Sequence, residues 1–298
     1  MADITMFAVE TWVRTIATGE FHYKHVLNGT VDPKAYAKLR EYIHRCCEKG
    51  ICEPSGRKDG YYRPIQDLPL PVDWQNIPAR VDFPIELPFD LRKYVFIYPN
   101  TIIIIAGSKS AGKTGFLYRT VAMNMKSERI KVVLLTNLEG GKEQLRDRFY
   151  AMDIEMPQPI PFTTIQVNDN FHDFIKQPNT LYVIDYIDAP EGTDFYLIGA
   201  AISKIRKKLD NSVAVIGLQK PRTRDTAFGG ELTLREATLY IAMDSNKLKI
   251  VDAKVPADPR VIPKNLNWTF KYKDSGTCFV DVKRIGEITE DGFEEEMF

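Results

Sequence analysis

Cysteine is scarce in this chain of 298 residues: there are four, and none forms a Cys-x-x-Cys pair. That spacing excludes a disulfide-built scaffold and fits a reducing, cytoplasmic compartment. Net charge is absent as well, with 40 Lys and Arg against 40 Asp and Glu, so no global field draws the chain to nucleic acid or to a membrane. A nucleic-acid site must therefore be a local patch. No apolar run approaches the ~20 residues of a membrane span, and the N-terminus lacks a signal-peptide pattern. Solenoid repeats and low-complexity tracts are also missing. What is present, 44% apolar and 27% charged residues, suits a globular chain with a sizeable core. Its length suits one large domain and one small.

The most informative stretch is Gly107-Ser108-Lys109-Ser110-Ala111-Gly112-Lys113-Thr114. It follows the apolar run 101–106 and opens a helix-compatible run, Gly115 to Met125, which gives the order strand, glycine loop, helix. The loop fits the G-x-x-x-x-G-K-[ST] phosphate-binding pattern. Glycines let backbone N–H groups close around a polyphosphate, and the following helix N-terminus adds a favourable dipole. Lys113 is then placed for the β- and γ-phosphates and Thr114 for Mg²⁺. The pattern predicts a nucleoside triphosphate site.

Beyond this loop strands and helices alternate. Strands are predicted over 131–136, 163–167, 180–185 and 213–218, with helices over 142–150 and 194–209. Continuous apolar strands between helices predict an α/β fold with a mostly parallel sheet covered on both faces. Four consecutive strands end the core, over 239–244, 247–253, 268–272 and 278–282. Leu181-Tyr182-Val183-Ile184-Asp185 is an apolar strand ending in a carboxylate, which makes Asp185 the candidate Mg²⁺ partner. Residue 186 is Tyr rather than Glu, so the base that activates water must come from elsewhere, and Glu139 is the natural candidate.

The strand leading into Thr136-Asn137-Leu138-Glu139, followed by Glu143-Gln144-Leu145, resembles the RecA-like ATPases, most closely the DnaB-type hexameric replicative helicases. Val183-Ile184-Asp185-Tyr186 and Val215-Ile216-Gly217-Leu218-Gln219 extend the likeness, which covers about residues 93 to 283. The resemblance implies a RecA-like core that binds ATP and Mg²⁺. It implies that Glu139 polarises the attacking water and that Gln219 senses the γ-phosphate. It also implies a DNA-contacting loop at 220–230, with Lys220, Arg222 and Arg224 on the strand backbone, and assembly into a ring or filament. Lys254 matches the Lys of the family's Lys-x-Arg element, which reaches the next subunit's nucleotide. The Arg position is Pro256, with Arg260 the nearby alternative, and this departure puts trans activation in doubt.

Residues 1–65 predict a small separate domain. Helices are expected over 5–16, with a face of Met6, Val9, Trp12, Val13 and Ile16, over 21–27, and from Asp32-Pro33 to Lys49 on a stripe of Leu39, Ile43 and Cys46. A hairpin follows over 51–62. Three helices and a hairpin resemble a winged helix-turn-helix domain, which implies phosphate contacts from Lys38, Arg45, Arg57 and Lys58 among other cations. A protein-docking module with a solvated basic face fits the same residues. Three histidines and three cysteines fall here, but their spacing matches no zinc-finger pattern. Residues 66–92, rich in proline, predict a semi-extended linker outside the core. Residues 284–298 form an acidic tail ending in Phe298, either a docking tip for a protein partner or a solubilising end.

These readings together predict an Mg²⁺–ATP-dependent DNA motor, a helicase on single-stranded DNA, with no membrane segment. Two other classes stand beside it: a recombinase- or loader-like ATPase that assembles on single- or double-stranded DNA without unwinding, and a scaffold ATPase that does not touch DNA.

Overall fold

The computed structural model describes residues 4–28, 33–56, 58–66, 74–78, 80–188, 195–273 and 276–285. The chain divides into two compact units, Met1–Ile77 and Pro78–Phe298.

The first unit contains helix α1 (Met6–Thr15), strand β1 (Phe21–His22), a 3-10 segment (Tyr23–Asn28), helix α2 (Pro33–Glu48) and strands β2 (Cys52–Pro54) and β3 (Tyr61–Pro64). Thr5 caps α1 by accepting from the Ala8 amide, and Val9 and Val13 form its buried face. The predicted stripe of α2 is the inner face: Leu39, Ile43 and Cys46 are fully buried, with Val26, Ile51 and Cys52 around them. Two expectations are corrected. The expected second helix is a kinked 3-10 segment that starts at Tyr23, because Phe21 and His22 pair with Tyr62 and Tyr61 of β3 in an antiparallel sheet of order β1-β3-β2. Ile16 lies past the end of α1 and is largely exposed, because the helix stops one residue short of it.

The second unit is a nine-stranded sheet whose strands, in chain order, are β4 (Thr101–Gly107), β5 (Lys131–Thr136), β6 (Thr163–Gln166), β7 (Thr180–Ile187), β8 (Val213–Gln219), β9 (Leu239–Asp244), β10 (Lys247–Ala253), β11 (Asn267–Lys273) and β12 (Cys278–Ile285). Its spatial order is β12-β11-β10-β9-β4-β8-β7-β5-β6. The six strands from β9 to β6 run parallel, and β10, β11 and β12 extend the sheet antiparallel beyond β9. Helices α3 (Lys113–Asn124), α4 (Gly141–Tyr150), α5 (Tyr196–Lys208) and the short α6 (Glu231–Glu236) complete the unit.

Period-two alternation assigns the strand residues to two cores. Ile103, Ile105, Val183 and Val215 join Phe116, Leu117 and Val121 of α3 on one face. Ile102, Ile104, Ile184 and Ile216 join Ile198, Ile202 and Ile205 of α5 on the other. With both faces covered, the strands can be apolar at nearly every position, which is why they read as continuous runs. The expected linker is corrected in its second half. Phe83, Ile85, Leu87 and Leu91 are buried in the α3-side core, and the Asn124 side chain bonds both the amide and the carbonyl of Glu86. No helix among the described residues is long and apolar enough to cross a membrane.

Candidate functional site

The carboxyl ends of the parallel strands gather the site. Pairing aligns Gly107 of β4 with Gln219 of β8 on one side and Met243 of β9 on the other, and sets Thr136 of β5 beside Asp185 of β7. Ligands of open α/β sheets bind at this edge, because the loops after each strand converge there. A cavity of about 960 Å³ opens there, lined by the whole stretch Gly107 to Gly115 together with Glu139, Arg148, Asp185, Tyr186 and Gln219. The residues singled out for triphosphate, metal and water thus share one cleft.

The phosphate loop is held by few internal bonds. Ser108 donates its amide to Met243 O, Ala111 donates to Ser108 O, and the Tyr272 hydroxyl donates to Ser110 O. Among the described residues, the amides of Lys109, Ser110, Gly112, Lys113 and Thr114 have no protein acceptor. Such donors at a helix N-terminus form an anion nest. Gly112 takes φ 87°, a left-handed value open to glycine. Gly115 is required for a different reason, because a Cβ there would lie 1.7 Å from the carbonyl oxygen of Gly276. Gly276 and Thr277, just before β12, therefore rest on the first turn of α3, and Tyr272, Lys273 and Gly276 line the same cavity.

Lys113 lies with its ammonium 3.7 Å from the centroid of the Tyr186 ring. Burial pushes its pKa down, while Asp185, Asp188 and Glu139 pull it back up. Gly217 makes room for this arrangement, since a Cβ there would meet Leu117, Lys113 and Tyr186 at 2.8 to 3.3 Å. Asp185 is 4% exposed, and the Thr114 hydroxyl donates to its Oδ1 at 3.3 Å. Burial drives the Asp185 pKa up, opposed first by the charge of Lys113 and then by hydroxyl donors. A hydroxyl and a carboxylate side by side are an all-oxygen donor pair, which fits a hard cation such as Mg²⁺.

Glu139 ends the β5 loop, where Asn137 Oδ1 accepts its amide, and its exposed side chain lines the cavity. Gln219 closes β8 at the same edge. Arg148, on the last turn of α4, is a cavity residue that local sequence pattern does not reveal. Its Nε is buried with no hydrogen-bond partner among the described residues, and its charge acts on Asp185 and Tyr118. The signal for it in the sequence is helical spacing from Gln144, which lines the same cleft one turn earlier.

Other candidates lie elsewhere. Lys254 does not line the cavity and donates to Arg235 O at 2.9 Å. Pro256 bridges Val95, and Arg260 pairs with Asp258 at 2.6 Å on the surface. Arg222 and Arg224 are exposed, as a polyanion-contacting loop requires. Lys220 is a correction: it is 2% exposed and bonds both oxygens of Asp244 at 2.8 Å, so its ammonium is not offered to a DNA strand.

In the first unit Lys58 is exposed, Lys38 lies over the Tyr42 ring, and Arg45 pairs with Glu41. A shallow groove of about 750 Å³ runs along α2, with Lys24, Tyr36, Arg40 and Arg45 on its walls. Arg57 and residues 286–298 of the acidic tail lie outside the described residues. No protein-family model matches the chain, and no curated protein matches it.

Proposed function

We propose that this chain is an Mg²⁺-dependent ATPase of RecA-like type that acts on DNA, with single-strand translocation and unwinding as its output. The observation that carries the reading is the convergence on one sheet edge of a glycine loop whose amides are unpartnered among the described residues, the Thr114–Asp185 pair, Glu139 and Gln219. In this reading the loop amides and Lys113 hold the β- and γ-phosphates. Thr114 and Asp185 would hold the Mg²⁺, which neutralises charge on the phosphates when bound. Glu139 accepts a proton from the attacking water, and Gln219 reports the γ-phosphate to the segment that follows it. Arg222 and Arg224 contact the strand backbone, and the α2 groove of the winged-helix-like first unit offers further cations to phosphate.

A second reading has its own support. Proline occupies the position where the resembled family carries a trans-acting arginine, and Arg260 is held in a local pair with Asp258. A site without that cation suits a recombinase- or loader-like assembly with slow turnover. Measuring ATP hydrolysis with and without single-stranded DNA, beside unwinding of a forked duplex, separates the two. The motor reading expects stimulation and strand displacement. Assembly without unwinding supports the second reading, and nucleotide binding with no DNA effect overturns both. Glu139→Gln is expected to leave Mg²⁺–ATP binding intact while hydrolysis falls by about 10²-fold or more.

A further inference from the structure

Lys220 is 2% exposed, and the proposed chemistry does not use it. Its ammonium bonds Asp244 Oδ1 and Oδ2 at 2.8 Å each, Arg224 O at 3.0 Å and Pro221 O at 3.5 Å. The turn 221–224 is therefore wrapped around a desolvated charge. Its backbone is committed too: the Lys220 amide donates to Gly107 O, the first residue of the phosphate loop, at 3.0 Å. Asp244 closes β9 directly after Met243, whose carbonyl takes the Ser108 amide at 3.1 Å. At the far side, the Phe228 amide donates to Gln219 O at 3.0 Å and closes the loop on the strand it left. One ion pair thus joins two strand ends that hold the phosphate loop and shapes the turn that presents Arg222 and Arg224.

The Lys220 side chain is fully buried while that of Asp244 is 38% exposed, so the pair ties a desolvated ammonium to a carboxylate at the surface of the same sheet edge. Each contact given up leaves an uncompensated charge in a dry site, so the ammonium and its acceptors shift together or not at all. An apolar side chain would fill the same space without that penalty, so filling alone does not account for a lysine here. We infer that Lys220 and Asp244 are a positioning pair that sets the 221–228 loop and the phosphate loop as one unit, so that polyphosphate bound at one is registered at the other. The inference rests on the proposed nucleotide site.

Hydrogen exchange of the full chain tests it, with and without Mg²⁺ and a non-hydrolysable ATP analogue. In the wild type, peptides covering 107–114 and 221–228 are both expected to slow on binding, the second by about fivefold or more. In Lys220→Met, and in Asp244→Asn, which keeps a polar partner, the 107–114 protection should persist while the 221–228 response disappears. Slowing at 107–114 alone in the wild type overturns the inference and leaves the nucleotide site standing. An unchanged 221–228 response in both variants also overturns it. Loss of protection at both stretches in the variants reduces the pair to a support of the fold, against the proposal. A wild type that responds at neither stretch refutes the nucleotide site itself, and the inference with it.

Discussion

Lys113 and Arg148 illustrate what burial does to a cation in this cleft. Burial lowers the Lys113 pKa below the ordinary lysine value of 10.5, so its proton leaves earlier as pH rises. A polyphosphate needs the ammonium, so nucleotide affinity is expected to fall on the alkaline side at a pH below that ordinary value. Titrating affinity from neutral to alkaline pH checks this, and Lys113→Arg should flatten the limb because a guanidinium keeps its charge. The stability linkage has the opposite slope. The unfolded chain holds this proton more tightly than the folded one, so the Lys113 contribution to stability rises with pH across the same window. Arg148 carries a buried nitrogen with no acceptor among the described residues, a group that gains most when an anion arrives. Arg148→Ala is expected to weaken ATP binding by about tenfold, a loss in the range of one charge-assisted hydrogen bond. Isothermal titration would show it, and equal affinity in the variant would remove Arg148 from the site.

Secondary-structure elements were the most legible level in the sequence. The strands that carry Thr136, Asp185 and Gln219 near their carboxyl ends read directly from apolar runs, because a strand covered on both faces admits few polar interruptions, although β7 runs on past Asp185 to Ile187. The phosphate loop read equally well, since its glycines answer a local backbone demand. What local pattern misses is tertiary. Lys220 sits among Arg222 and Arg224 and looks like a third surface cation; only Asp244, 24 residues on, makes it an interior one. Phe21 and His22 look helical until β3 offers them a partner. Phe83 to Leu91 resembled linker because prolines mask a segment that packs irregularly against α3. The Gly115 contact is of this kind as well. Gly115→Ala must push the Gly276 backbone away from α3, and overpacking of this sort costs about 1–3 kcal/mol. Chemical denaturation should register that loss, together with weaker nucleotide binding.

At the scale of the molecule, every residue lining the cleft proposed for the nucleotide belongs to the unit 78–298. That unit holds its own two-faced core, so a fragment starting at Pro78 is expected to fold and to bind Mg²⁺–ATP as tightly as the whole chain. Nucleotide titration of the fragment is the measurement; loss of binding would mean that residues 1–77 contribute to the site. On the proposed DNA reading, affinity for DNA is what should change on removing them, since the α2 groove, where Lys24, Arg40 and Arg45 stand beside Glu41 and Glu48, goes with them.

The ring contact of Lys113 has a consequence for ionic strength. The ammonium rests on the Tyr186 face, with no carboxylate oxygen at ion-pair distance among the described residues. An arriving phosphate thus displaces an uncharged neighbour inside a sheltered cleft, where dissolved ions screen little. Arg222 and Arg224, out in solvent, have no such shelter. If the proposed reading holds, raising salt strips polynucleotide from the protein long before it releases the triphosphate, and sodium chloride alone separates the two proposed occupancies.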